Sequence, residues 1–130
     1  MTKALSIVGS SRNNGEREKD DFYPTPKYAV EQLLKREVFN GNIWECACGE
    51  GDISEVFVEK GFEVRSSDLI DRNYGIVENF FESDYTADNI ITNPPYKHAL
   101  EFVLEAKKKS NSKIAMFLKT VFLESEKRRT

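Results

Sequence analysis

Two glycines and a carboxylate are the first residues of this chain whose spacing points to chemistry. In Glu45-Cys46-Ala47-Cys48-Gly49-Glu50-Gly51, Gly49 permits a tight turn and Gly51 lets the backbone come close to a ligand where the next helix begins. Glu45, Gly49 and Gly51 are the binding candidates of this loop. Asp68 follows 17 residues after Gly51, where a carboxylate can accept hydrogen bonds from both hydroxyls of an adenosine ribose. Taken singly, the glycines are equally an ordinary strand-to-helix turn, and Asp68 a solvated loop carboxylate or a helix cap. The combination is more specific. Ser54 stands where the Gly-x-Gly-x-x-Gly dinucleotide fingerprint has its third glycine, and Glu50 puts an acid where a pyrophosphate would come close. Such a loop disfavours phosphate-rich ligands and suits an adenosine with a cationic tail. S-adenosylmethionine is such a ligand.

These residues serve a site only if strands end at them. Ile43-Trp44-Glu45-Cys46 reads as a short buried strand, and Ile53, Val56 and Phe57 as one face of a helix that Gly61 terminates. Phe62-Glu63-Val64-Arg65 reads as a second strand ending at Ser67-Asp68. A weak third strand is expected around Tyr74 to Val77 and a stronger fourth at Asn89-Ile90-Ile91-Thr92. Ala99, Phe102, Val103 and Ala106 predict a helix over 97–109, and Lys113 to Leu118 a fifth strand. Upstream, Thr25 is a candidate N-cap with Pro26 at the first helical position, opening a helix that runs to about Glu37. Residues 9–20 contain no apolar side chain, and 1–20 are expected to form a flexible arm. Strands alternating with helices predict an α/β fold, a Rossmann-like, doubly wound and mostly parallel sheet. Ligands bind such a sheet beyond the carboxyl ends of its strands.

After the fourth strand stands Asn93-Pro94-Pro95-Tyr96. An isolated match is a proline turn closing a strand; at this position, downstream of the glycine loop and Asp68, it resembles the motif of class I S-adenosylmethionine-dependent amino-methyltransferases. The likeness is to the small phage-type N6-adenine DNA methyltransferases above all. An exocyclic amine conjugated to an aromatic ring is a poor nucleophile. The resemblance implies that the Asn93 side-chain oxygen and the Pro94 carbonyl each accept one of its N–H groups, turning the lone pair toward the methyl donor. It implies too that the prolines stiffen the loop and that Tyr96 stacks on a base that has left the duplex. Asp21-Phe22-Tyr23-Pro24-Thr25-Pro26 is similar to the segment in which an aromatic residue and a threonine help hold the methionine end of the cofactor, implicating Tyr23 and Thr25. Asn79-Phe80-Phe81 resembles an Asp-Phe-Leu segment at the cofactor adenine, with Asn79 replacing the acid and Phe80 the packing ring.

The resemblance covers about residues 21–125 and implies an enzyme that methylates N6 of adenine in DNA with S-adenosylmethionine as cofactor. Related families use the same four residues on a protein glutamine amide or an RNA base, and an inert cofactor-binding module is a further alternative. Only 41 residues separate Gly51 from Asn93, too few for an inserted target-recognition domain. The family sheet usually continues with a sixth and seventh strand, so a domain over 21–130 is expected to be C-terminally incomplete, as either a fragment or a minimal version.

Composition limits the remaining classes. The 130 residues are 39% hydrophobic and 32% charged, which fits one globular domain, and no apolar run approaches the roughly 20 residues of a membrane span. The apolar patch from Ala4 to Val8 is too short for a signal-peptide core, so a cytoplasmic protein is expected. Cys46 and Cys48 are too close for an ordinary disulfide, and with one histidine no zinc set is expected; both are expected to be buried, reduced thiols. The net charge of −3 divides into −8 over residues 1–96 and +5 over 97–130. Lys107, Lys108, Lys109, Lys113, Lys119, Lys127, Arg128 and Arg129 form either a phosphate-contacting surface or a solvated helix and tail.

Overall fold

The computed structural model of the chain describes residues 4–10 and 23–119. Among the described residues six parallel strands form one sheet in the order β4-β3-β2-β5-β6-β1, with β1 at Ala4–Ser10, β2 at Ile43–Glu45, β3 at Val64–Asp68, β4 at Ile76–Val77, β5 at Ala87–Thr92 and β6 at Ser110–Lys119. Three helices join them, α1 at Lys27–Arg36, α2 at Asp52–Glu59 and α3 at Ala99–Lys109. This is the expected α/β, Rossmann-like, doubly wound architecture.

The central strands are apolar on both faces because both are covered, as a parallel sheet requires. On one face, Val30 and Leu33 of α1 and Ile53, Val56 and Phe57 of α2 pack on Ile43, Ile91, Ala115 and Phe117. On the other, Ala99, Phe102 and Ala106 of α3 join Phe80, Trp44, Ile90, Ile114 and Met116. The chain leaves β2 in one direction through α2 to β3 and β4, then returns to lay β5 along the opposite side of β2. That reversal separates the loops after β2 and β5 and opens a crevice at the carboxyl edge.

Local chemistry explains the end of α2 and its close packing on β3. Gly61, at φ +93°, takes the left-handed turn that ends α2, as expected. Ser54, in the place of a third glycine, is fully buried, and the Ser66 hydroxyl donates to it at 2.7 Å, so two small side chains keep α2 close to β3. Two expectations are corrected. Thr25 is not the cap of α1: Pro26 holds that position and no side chain caps the helix. Residues 4–10 of the expected arm instead form β1, whose backbone pairs in parallel with β6 from Ala4 opposite Lys113 to Ser10 opposite Lys119. Residues 11–22 lie outside the described residues.

Candidate functional site

A cleft of about 690 Å³ lies at the carboxyl edge, where the loops after β2, β3 and β5 meet the segment before α1. Of the expected residues, Tyr23, Thr25, Glu45, Asp68, Asn79, Phe80, Asn93 and Pro95 line it. Gly49, Gly51, Pro94 and Tyr96 are not among its lining residues.

The glycines act on the loop itself. Gly49 donates its N–H to Asp68 Oδ2 at 2.8 Å, tying the loop after β2 to the tip of β3, while Asp68 Oδ1 accepts the Ile70 N–H at 2.9 Å. Asp68 is therefore oriented by its own backbone, and each carboxylate oxygen retains a further lone pair for a ligand hydroxyl. Gly51 takes φ +96°, and a Cβ built there would lie 2.6 Å from the Tyr74 ring. The space a Cβ would fill at Gly51 is taken by the Tyr74 ring. Tyr74 is fixed in turn by donating its hydroxyl to Glu55 at 2.6 Å.

Glu45 forms the floor. Only 2% exposed, it accepts the Ala47 N–H and the Thr92 hydroxyl through Oε2. Burial pushes its carboxyl up to about 8, with the nearby Asp68 and Asp52 adding to the shift and those two hydrogen bonds opposing it. Glu45 is thus largely protonated at pH 7, and the negative charge that a cation in the cleft would meet comes from Asp52 and Asp68. Cys46 and Cys48 are free, buried thiols, as expected, and burial holds Cys46 well above the usual thiol range and pushes Cys48 up to about 12.

At the opposite side, Asn93 is held by residues some 70 positions earlier. Its Nδ2 donates to the Tyr23 carbonyl and to Thr25 Oγ1, each at 3.0 Å. A backbone carbonyl only accepts, so the amide nitrogen must face it and the side-chain orientation is fixed. With both N–H groups committed, Asn93 can offer a ligand only its oxygen. Downstream, the single 3₁₀ turn Tyr96–His98 uses the Pro95 carbonyl, which accepts the His98 N–H at 2.9 Å. Pro94 is buried and Tyr96 half-buried beside the cleft.

The third wall is aromatic. Phe80 is 2% exposed and stacked on Phe102, with ring centroids 5.2 Å apart, so the ring presented to solvent is that of Phe81 at 41% exposure. Asn79 caps this turn, its Oδ1 accepting the Phe81 N–H at 2.9 Å. Lys109 reaches under the segment from the end of α3, donating to the Phe80 carbonyl and pairing with Glu105 at 3.1 Å.

Several lining residues escape sequence reading. Leu69 and Ile70, exposed by 62% and 36%, form an apolar lip directly after Asp68; two aliphatic residues following a strand-terminal acid were a signal for it. Thr92, which anchors Glu45, had only the weak signal of a hydroxyl ending an apolar strand. The expected basic surface is divided. Lys109 is buried, and Lys113 donates to the Val38 carbonyl at 2.6 Å and to Glu37 at 3.2 Å, so both serve the fold. Lys107 and Lys108 are exposed; the side chains of Lys119, Lys127, Arg128 and Arg129 lie outside the described residues. Among the described residues no helix is long and apolar enough to cross a membrane, and no group of three or more His, Cys, Asp or Glu side chains is placed to hold a metal. In comparisons with protein-family models, curated proteins and solved structures, nothing matches this chain.

Proposed function

We propose that this chain transfers a methyl group from S-adenosylmethionine to an exocyclic amino nitrogen of a nucleic-acid base, with N6 of adenine in DNA as the foremost target. The observation that carries this reading is the carboxamide of Asn93, locked with its oxygen as the only group it can offer, on a cleft that also contains Asp68. The cofactor supplies an electrophilic methyl on a sulfonium. Its adenosine suits the Asp68 carboxylate and the Asn79–Phe81 wall, and its positive charge suits the Asp52 and Asp68 carboxylates beside the protonated Glu45. The cleft volume is in the range that holds a ligand of this size, roughly 300–1,000 Å³.

The chain's own contribution is placement. The fixed oxygen at Asn93 accepts one N–H of a planar amine; the resemblance of Asn93-Pro94-Pro95-Tyr96 alone assigns the other to the carbonyl of Pro94, which is buried beside the cleft. The nitrogen lone pair is thereby freed from the ring and aimed, with no strong base required. As the nitrogen–methyl bond formed, the methyl–sulfur bond would break, S-adenosylhomocysteine would leave and the methylated nitrogen would lose one proton to solvent, with the Asn93 oxygen already placed for the developing positive charge.

The test is transfer of labelled methyl groups to duplex DNA, RNA and protein with one preparation. Label at adenine N6 of DNA supports the proposal; label on RNA or a glutamine amide reassigns the substrate. Binding of S-adenosylmethionine without transfer to any of them leaves a cofactor-binding module. Asn93→Ala is expected to keep cofactor affinity and lower the transfer rate by about 10²–10³, the cost of losing one preorganised polar group in such a site. Full activity in that variant removes Asn93 from the chemistry.

A further inference from the structure

We infer that Thr25 is a positioning residue for Asn93, setting which atom of the carboxamide faces the substrate, and not primarily a cofactor-holding group. This deepens the amino-transfer reading and rests on it. Thr25 is 7% exposed and precedes Pro26, which holds the cap position of α1. Its hydroxyl oxygen is instead the 3.0 Å acceptor of one Asn93 N–H, across 68 residues of sequence. The Tyr23 carbonyl takes the other. The two acceptors lie two residues apart on one rigid, proline-flanked segment, so they grip the amide as a pair. With one acceptor gone, a single hydrogen bond remains to define the amide plane. The side chain can then turn about its last torsion and bring nitrogen where oxygen is needed. A donor facing an amine N–H repels it. The segment before α1 thus acts on the chemistry through the loop after β5.

Thr25→Val preserves shape and removes the acceptor, whereas Thr25→Ser keeps the hydroxyl. Thr25→Val is expected to leave the Kd of S-adenosylmethionine near that of the unaltered protein and to lower kcat by about 10- to 100-fold, the scale for losing an orienting partner of a reacting group. Thr25→Ser is expected to restore most of the rate. A purely structural or cofactor-holding role predicts the opposite division, with weakened cofactor binding and a kcat that recovers at saturation. A second readout needs no turnover. The Asn93 side-chain amide protons, followed by ¹⁵N-edited NMR in the full chain, are expected to exchange slowly in the unaltered protein and in Thr25→Ser, and fast in Thr25→Val. Unchanged exchange in Thr25→Val, or an unchanged kcat, overturns the positioning role. Slow exchange lost in Thr25→Val, in a protein that methylates no amine at all, upholds the grip on Asn93 and refutes the amino-transfer reading instead.

Discussion

Single residues in this site are held by the chain before any ligand arrives. Asp68 accepts two backbone N–H groups, Glu45 accepts an N–H and a hydroxyl, and Asn93 donates twice. Preorganisation of this kind moves the cost of ordering from binding to folding. Gly51 shows how the same residue type can serve a different purpose from the one its motif suggests. Its left-handed backbone and the Tyr74 ring against it make Gly51→Val a steric defect. The substitution is expected to destabilise the fold by about 1–3 kcal/mol, as overpacking does, measurable as a lower urea midpoint with or without cofactor. A stability equal to that of the unaltered protein, joined to lost cofactor binding, returns Gly51 to the ligand site. Residue identities at the carboxyl edge were legible in the sequence because strand ends announce themselves. Their hydrogen-bond partners were not, since the pairing of Asn93 with Thr25 depends on tertiary placement that no spacing rule encodes.

Elements were read well where periodicity was strong. The stretch Asn89 to Thr92 appears within β5, and Ala99, Phe102 and Ala106 bury the inner face of α3. The failure was β1, where five residues from Ala4 to Val8 resembled a loose terminus because a short apolar run has no meaning without its partner strand. Parallel pairing gives no hairpin turn to mark it. A second feature invisible locally is the link between α3 and the aromatic wall, made by Lys109 under the Phe80 carbonyl. Lys109→Met should remove a charged hydrogen bond and leave Glu105 without its nearer cation. The expected cost is about 1–3 kcal/mol, with weakened S-adenosylmethionine binding as the Asn79–Phe81 turn loosens. Unfolding curves and cofactor titration on the same variant check both effects, and a stability unchanged within error shows the lysine to be dispensable.

For the whole molecule, the buried acid in the floor has a global effect on stability. Glu45 holds its proton in the folded chain up to about pH 8, whereas its ordinary value is 4.5. Between those values the unfolded chain has released a proton that the folded chain keeps. The contribution of Glu45 to stability is therefore fully present below the lower value, falls as pH rises through the interval and levels off above about 8. Glu45→Gln is expected to flatten this slope and to be the more stable protein at the alkaline end, as read from urea unfolding across the interval; an equally steep slope in the variant assigns the effect elsewhere. The edge strand carries a consequence in time. Ala4 pairs with Lys113, more than 100 residues away, whereas β5 reaches β6 through α3 alone. Closing the longer loop costs more entropy and is rewarded only after its partner strand exists. A strand made well before its partner is thus seated only after that partner forms, and β6 keeps an open edge until then. In pulsed hydrogen exchange during refolding, amides of β1 should gain protection after those of β5 and β6, leaving an interval in which a second chain can claim the vacant edge.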